Sequence, residues 1–388
     1  MILELMKRVS ILGSTGSVGL STIDIIARHP DRLEVVGLSA GSNLELISRQ
    51  IAALKPKAVS VKTAEDAAKL ATMVDDKKLT IFHGPDGARE VASIPEADMV
   101  LSAIVGAAGL LPTLSALKKG KTVGLANKES MVIAGELMNR EAKAHGAVII
   151  PVDSEHSALF QCLQGQRRQD VRRLILTASG GPFLKRPMND FEKITVDEAL
   201  KHPNWEMGPK ITIDSATMMN KGLEVMEARW LFDMPAEKID VVIHPQSVIH
   251  SLVEFIDGSV LAQLGVPDMR VPIAYALSYP ERIETGVASL NLAQTARLDF
   301  FEPDLVRFPS LKIAFDVARK GRTYPAVLNA VNEVAVDAFL KKKISFQRIF
   351  QTIDTVVSGH SPRPLSSLED VLEADRWGRV KGLEALSA

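Results

Sequence analysis

Val9-Ser10-Ile11-Leu12-Gly13-Ser14-Thr15-Gly16-Ser17-Val18-Gly19 decides the fold of this chain. A short apolar strand runs into three glycines, and the segment 20–28 that follows reads as a helix, with a second apolar strand at 33–38. A strand, a glycine turn and a helix in that order let the backbone approach a pyrophosphate, with unpaired helix N–H groups facing it. The spacing is Gly-x-x-Gly-x-x-Gly, which departs from the usual Gly-x-Gly-x-x-Gly. The placement between strand and helix, more than the spacing, therefore carries the reading of a dinucleotide site. The second strand ends in Leu38-Ser39-Ala40-Gly41-Ser42-Asn43, with no carboxylate for a ribose 2′-hydroxyl and none to repel a 2′-phosphate. NADP is favoured over NAD, although no arginine in this loop clamps the phosphate. Further apolar runs at 58–61, 80–82, 99–104, 122–126 and 147–152 read as strands separated by helical segments, as in a doubly wound sheet.

Composition excludes several classes. A chain of 388 residues has room for two or three domains, and a net charge of −1 gives no reason to expect nucleic acid or an anionic membrane as partner. The single cysteine, Cys162, rules out an intrachain disulfide and a thiolate metal cluster, and it fits a reducing, cytoplasmic setting. No signal or transit peptide is expected, because Lys7 and Arg8 lead straight into the first strand. Residues 99–117 carry no charge and are long enough to span a bilayer, but they contain Gly106, Gly109 and Pro112. They read as a buried strand, a glycine-rich turn and a helix started by Pro112, ending at Lys118-Lys119-Gly120.

The chemistry is expected further on. Ala147-Val148-Ile149-Ile150-Pro151-Val152-Asp153-Ser154-Glu155-His156 is an apolar run ending in two carboxylates. In extended backbone, residues i and i+2 share a face, so Asp153 and Glu155 are expected to point together. Paired carboxylates repel unless a proton or cation lies between them, and hard oxygen ligands suit Mg²⁺ or Mn²⁺; taken alone, the pair reads equally as a solvated strand end or a helix N-cap. Asn127-Lys128-Glu129 follows the strand at 122–126, where open α/β sheets bind ligands. There Lys128 is expected to meet a substrate oxygen, with Asn127 and Glu129 at the nicotinamide end; a surface turn is the alternative. Three polar islands come next. Residues 177–182 offer a hydroxyl beside flexible backbone, and residues 202–210 form a loop with Trp205 and Met207 between two prolines, either a lid or a surface loop whose Trp packs inward. Residues 213–224 place Asn220, Lys221 and Glu224 on one helix face, either as a substrate and metal site or as a surface ion pair.

Six of these motifs together resemble the 1-deoxy-D-xylulose 5-phosphate reductoisomerase family. They are Gly-Ser-Thr-Gly-Ser-Val-Gly at 13–19, Ala-Asn-Lys-Glu-Ser at 126–130, Pro-Val-Asp-Ser-Glu-His at 151–156, Ser-Gly-Gly-Pro-Phe at 179–183, His-Pro-Asn-Trp-x-Met-Gly at 202–208 and Asp-Ser-Ala-Thr-Met-Met-Asn-Lys-Gly-Leu-Glu at 214–224. The resemblance implies a homodimeric enzyme of non-mevalonate isoprenoid biosynthesis that uses NADPH and a divalent metal (Mg²⁺, Mn²⁺ or Co²⁺). It implies Asp153, Glu155 and Glu224 as metal ligands, with Lys128 and Glu155 at the reacting oxygens. Ser154, Ser179, His202, Ser215, Asn220 and Lys221 would bind the sugar phosphate. Thr15, Gly16, Ser17, Val18, Gly41, Ser42, Asn43, Asn127, Glu129 and Gly208 would line the NADPH site. One departure is Ser42, which stands where some members carry a basic residue.

His244-Pro245-Gln246-Ser247-Val248-Ile249-His250 is flanked by strand-like runs and is read as a structural or dimer-sheet segment, in preference to a zinc site. Beyond residue 309 helical spacing takes over, with breaks at 341–345 and 358–364. The expected architecture is α/β in four parts. Residues 1–152 form a Rossmann-like NADPH domain, and 153–280 an α+β catalytic domain with a lid near 200–210 and a dimer sheet. Residues 281–308 form a linker, and 309–388 a C-terminal helical bundle. Two rivals remain at this stage: an aspartate-semialdehyde-type NADP dehydrogenase, which needs a nucleophilic cysteine, and a non-enzymatic dinucleotide sensor, which has no use for three carboxylates.

Overall fold

A computed structural model describes residues 6–205 and 207–387; Glu206, in the expected lid, lies outside the described residues. The chain divides into two compact units. The first takes in the chain up to Ser130 together with Met138–Asp153 and Asp268–Val287. The second takes in Met131–Leu137, Ser154–Pro267 and the chain from Ala288 onward.

The first unit is built on seven parallel strands, β1 Lys7–Leu12, β2 Leu33–Ser39, β3 Ala58–Val61, β4 Thr80–His83, β5 Met99–Ser102, β6 Thr122–Leu125 and β7 Ile149–Pro151, in the order β4-β3-β2-β1-β5-β6-β7. The central strands are apolar on both faces because helices cover both, and Val9, Ile11, Leu101 and Val123 are fully buried. Strand order reverses at β1, with β2 on one side and β5 on the other. In such sheets that point opens a crevice beyond the carboxyl ends of the strands. Side-chain caps start several of the intervening helices. Asn43 accepts from the Leu46 N–H, Thr63 from Asp66 and Asn127 from Ser130. The uncharged stretch from Met99 resolves into β5, a short 3₁₀ turn and the helix Leu110–Lys118, and no helix among the described residues is long and apolar enough to cross a membrane. Pro112 falls at the third position of that helix, where a missing N–H costs nothing.

Asp268–Val287 belongs to this unit although it lies more than a hundred residues beyond β7 in the chain. Its helix Arg270–Ser278 buries Ile273, Ala276 and Leu277, Lys7 Nζ donates to the Leu277 carbonyl at 2.6 Å, and Arg32 pairs with Glu281. These contacts tie the segment to β1 and to the turn before β2.

The second unit has a four-stranded sheet of β8 Val171–Ala178, β9 Ile239–Ile243, β10 Ile249–Phe255 and β11 Val260–Leu264, ordered β11-β10-β8-β9. β8 and β9 are parallel, while β10 runs antiparallel to β8 and β11. Both His244 and His250 are buried in or beside this sheet. His244 Nε2 accepts from the N–H groups of Val248 and Ile249 at 3.2 Å, so its Nδ1–H donates to the Asp299 carbonyl at 2.9 Å. Both ring nitrogens of His244 are committed to backbone, as a structural histidine requires. The last third forms the helices Pro309–Lys320, Tyr324–Leu340, Phe346–Ser358 and Leu368–Ser387, with Val327, Val331, Ile349 and Ile353 in their shared core. Phe346 packs against Phe183, Phe191, Phe339 and Phe350, with ring centroids 5.3–6.0 Å apart.

Close approach matters most where the helix Met219–Leu231 meets the helix Pro309–Lys320. A Cβ built on Gly222 would lie 2.4 Å from the Ala314 Cβ, so two backbones pass where only glycine fits. Gly222→Ala is expected to destabilise the protein by about 1–3 kcal/mol through overpacking, read as a lower melting temperature. An unchanged melting temperature would mean that the two helices part freely.

Candidate active site

β1 ends at Leu12, and the backbone of Gly13 turns with φ +85° while the N–H groups of Gly13 and Ser14 donate to the Ser39 carbonyl at 2.8 and 2.9 Å. A Cβ on Gly13 would meet the Ala103 carbonyl oxygen at 2.6 Å, and one on Gly19 would meet the Gly13 oxygen at 2.4 Å. Neither position accepts a side chain, and both lie where the loop, β5 and the helix Ser17–Arg28 converge. That helix starts at Gly16 without a side-chain cap, leaving first-turn N–H groups open to an anion. Thr15, Gly16, Ser17 and Val18 are partly or fully exposed at this mouth, as are Gly41, Ser42 and Asn43 after β2. The cradle fits a dinucleotide pyrophosphate. Gly208 belongs to the second unit, where it caps the helix Pro209–Ala216.

Beyond β6, Asn127 has its amide fully engaged. Its Nδ2 donates to the carbonyls of Ile104 (2.5 Å) and Gly106 (3.0 Å) and to Glu129 Oε2 (3.2 Å), and its Oδ1 caps the next helix. Asn127 is 2% exposed and braces the glycine-rich turn after β5. Lys128, also buried, forms an ion pair with Asp153 at the end of the first unit.

The second unit holds the densest charge. The structure corrects one expectation here, because Asp153 and Glu155 do not alternate along a strand. β7 ends at Pro151, and Glu155 lies in the first turn of the helix Ser154–Cys162. Pairing with β6 stops at Pro151, and an acidic residue near a helix N-terminus is favoured by the macrodipole. The helix Met219–Leu231 follows Met218, whose φ is +61°, and puts Asn220, Lys221 and Glu224 on one face as their spacing predicts. Lys221 Nζ donates to Glu155 Oε1 at 2.8 Å and to Glu224 Oε2, while Asn220 Nδ2 donates to Glu224 Oε1. Lys221 is 3% exposed and Glu224 fully buried, so this is no surface ion pair. Burial alone drives the Lys221 ammonium towards neutrality, but the two carboxylates overrule it and hold its pKa above the ordinary lysine value. One ammonium facing two carboxylates leaves a net negative charge partly shielded from water, with Glu155 half-buried, which suits a hard divalent cation with oxygen ligands. Ser154 Oγ donates to Glu155 Oε2 at 2.5 Å.

Sequence reasoning missed the supports of this cluster. His156 is fully buried, with Nε2 2.9 Å from the Glu224 carbonyl and Nδ1 3.4 Å from Glu227 Oε2, also fully buried. Asp214, 1% exposed, receives Lys210 at 2.7 Å and the Asn332 amide at 2.9 Å, so the C-terminal bundle reaches the helix that carries Ser215. A signal did exist: Asn329 and Asn332 lie three apart on an otherwise apolar helix face, a costly arrangement unless the amides have work to do. In the first unit Gln50 grips the glycine loop, accepting from Ser14 Oγ at 2.8 Å and donating to the Ser14 carbonyl at 2.9 Å. Cys162 ends its helix, and burial pushes its thiol up to about 11, the reverse of an activated nucleophile. The semialdehyde-dehydrogenase reading falls with it.

Ser179 follows β8, and its Oγ lies 3.1 Å from His202 Nε2 and accepts from the Gly181 N–H at 3.2 Å. A Cβ on Gly181 would lie 2.8 Å from the Ser215 carbonyl, so the loop carrying Ser179 packs tightly against Ser215. His202 Nδ1 accepts from the N–H groups of Asn204 (3.1 Å) and Trp205 (3.0 Å), which puts its proton on Nε2. Asn204 Nδ2 ties the same turn to the Pro245 carbonyl and Ser247 Oγ, and half-buried Trp205 lies 6.5 Å from the His250 ring. Burial pushes the His202 imidazole down to about 4, against the pull of Glu155. The folded value lies below the unfolded one, so stability tied to neutral His202 is present above about 6.5 and lost as pH falls through about 4. An NMR titration of this ring is expected to show a midpoint near 4. A midpoint near the ordinary value of about 6.5 would mean that the ring is not shielded from water as the structure has it.

Known proteins resemble this chain over nearly its whole length. Residues 9–135 match the family model described as 1-deoxy-D-xylulose 5-phosphate reductoisomerase, residues 149–232 its C-terminal domain, and residues 264–381 a further DXP reductoisomerase C-terminal domain. The chain is 57% identical to 1-deoxy-D-xylulose 5-phosphate reductoisomerase of Geobacter metallireducens, covering 98% of this chain and 99% of that protein. It is 56% identical to the protein of the same name from Chlorobaculum tepidum, covering 96% and 98%. Among solved structures, a DOX-P reductoisomerase in complex with NADPH, fosmidomycin and magnesium superposes with a TM-score of 0.94 at 43% identity, covering 98% of each chain. The reductoisomerase of Zymomonas mobilis in complex with NADPH gives 0.92 at 43%, covering 99% of this chain and 100% of that one. The chain belongs to the 1-deoxy-D-xylulose 5-phosphate reductoisomerase family.

Proposed function

We propose that this chain converts 1-deoxy-D-xylulose 5-phosphate into 2-C-methyl-D-erythritol 4-phosphate, with NADPH as reductant and a divalent cation (Mg²⁺, Mn²⁺ or Co²⁺) as Lewis acid. The observation that carries the reading is the buried Glu155–Lys221–Glu224 cluster, flanked by Asn220 and Ser154, in a chain whose other unit presents a pyrophosphate cradle. A dinucleotide sensor would have no reason to bear the cost of that buried charge.

Asp153, Glu155 and Glu224 are assigned as the metal ligands, and their hard oxygens suit the task. A metal held there would supply polarisation of the substrate carbonyl, and a bound dinucleotide would supply the reducing equivalents. The protein's own groups do the rest. Lys128 and Lys221 are fixed ammonium groups that donate to substrate oxygens and stabilise charge developing there. Ser179, His202 and Ser215 are assigned to the phosphate, with the His202 Nε2–H as a neutral donor. Asn220 and Ser154 orient hydroxyls and carboxylates together. The loop through Trp205 is assigned as the lid that excludes water. On the cofactor side, Thr15 to Val18 hold the pyrophosphate and Gly41 to Asn43 the adenosine ribose. Glu129 and Gly208 serve the nicotinamide end, and Asn127 acts there by bracing the turn at residues 104–106.

The reading extends to a homodimer in the cytoplasm. β11 is an edge strand with Val260, Leu261 and Leu264 exposed, and Ile256 before it is also exposed. An uncovered apolar edge invites aggregation, and a second copy of the chain is the simplest cover. Sedimentation of the wild type is expected to give the mass of two chains, and Leu261→Asp the mass of one. A wild type that sediments as one chain at micromolar concentration would remove β11 as a dimer face.

Glu224→Gln tests the metal assignment. Losing one ligand is expected to lower turnover by about a hundredfold or more, the equivalent of a few kcal/mol of charge stabilisation. The rise in melting temperature on adding Mg²⁺ should shrink in parallel. A variant whose Mg²⁺ response and turnover match the wild type would take Glu224 out of the coordination sphere.

A further inference from the structure

The loop after β2 contains no charge, yet the dinucleotide assigned to this chain carries a 2′-phosphate on its adenosine ribose. In dinucleotide folds that group lies beyond the end of the second strand. The neighbouring strand, β3, is followed directly by a lysine, Lys62. β2 and β3 pair in parallel through Gly37↔Ala58, Leu38↔Val59 and Ser39↔Ser60. The pairing continues past the strand ends: the Ser60 and Ser39 hydroxyls meet at 2.9 Å, the Ala40 N–H donates to the Ser60 carbonyl at 2.9 Å, and the Lys62 N–H donates to the Gly41 carbonyl at 3.4 Å. Lys62 is thus held by its own backbone against the residue that opens the Gly41-Ser42-Asn43 turn. All four residues are exposed, and nothing lies within 4 Å of a Cβ on Gly41. Lys62 forms no ion pair among the described residues.

We propose that Lys62 is the specificity-determining cation for the 2′-phosphate, taking over from the end of β3 a charge that Ser42 does not provide in the β2 loop. Its four-carbon stem can bring the ammonium over the turn, where the Ser42 hydroxyl and the Asn43 Nδ2 supply neutral donors to the same oxygens. The Asn43 Oδ1 is committed to the Leu46 N–H, so the amide presents its donor side as the free one. An exposed lysine adds a charge-assisted contact without altering the fold.

This inference rests on the NADPH reading, and the experiment separates the two. Dissociation constants for NADPH and NADH are measured by cofactor fluorescence, without substrate, on the wild type, Lys62→Ala and the double variant Lys62→Ala/Ser42→Arg. Lys62→Ala is expected to weaken NADPH about tenfold, the loss of one contact to a charged group, and to leave NADH within twofold. The double variant is expected to recover the preference from the β2 side, and the wild-type advantage for NADPH to shrink as salt rises. If Lys62→Ala keeps the wild-type ratio of the two constants, Lys62 has no such role. A wild type that binds both cofactors equally would overturn the NADPH reading itself and the assignment of Lys62 with it.

Discussion

An ammonium buried between two carboxylates is the constraint on which the catalytic half of this molecule depends. Lys221 is 3% exposed and Glu224 fully buried, so neither charge has water to fall back on. Removing one partner from such a group costs about 3–5 kcal/mol, because the others stay buried and uncompensated. The helix Ser154–Cys162, which carries Glu155, and the helix Met219–Leu231, which carries Lys221 and Glu224, are therefore locked in register. Other features protect that lock. His156 hydrogen-bonds the Glu224 carbonyl from the first helix, and Gly222 lets the second helix lie close against Pro309–Lys320. The C-terminal bundle thus buttresses the site, and through Asn332 and Asp214 it also reaches the helix bearing Ser215.

The cofactor half depends on a steric constraint. Gly13 and Gly19 leave no room for a Cβ, and the reversal of strand order at β1 opens the crevice they line. Buried polar groups hold this loop in shape. Gln50 grips Ser14 from the helix Leu44–Leu54, and Asn127 pins the turn after β5. These amides hold the loops that meet a ligand, and their own hydrogen-bonding capacity is largely spent on the protein.

Much of this was legible before any coordinates. The alternation of apolar runs and helical segments from Val9 to Val152 announced a doubly wound sheet, and all seven strands fall on or within two residues of the expected runs. The i, i+3 and i+4 spacing of Asn220, Lys221 and Glu224 announced their shared helix face. The break at residues 341–345 was equally plain, and the structure adds that Ser345 caps the helix after it. At Asp153 and Glu155 an extended pair was preferred over a helix N-cap, and a helix begins there. Local alternation cannot say where a strand loses its neighbour, and here pairing with β6 stops at Pro151.

The sequence by itself determined the element types, the glycine cradle and the roster of charged groups, because hydrophobic period, turn residues and side-chain chemistry are local properties. Only the tertiary structure decided which of those groups share a site and which are spent on scaffold. It showed that Lys221 is buried between Glu155 and Glu224 and no surface pair, and that Asn127 braces a turn. It also placed Lys62, a lone lysine after a short strand, beside the Gly41–Asn43 loop. Burial and pairing depend on contacts between residues far apart in the chain, and no local pattern carries that information.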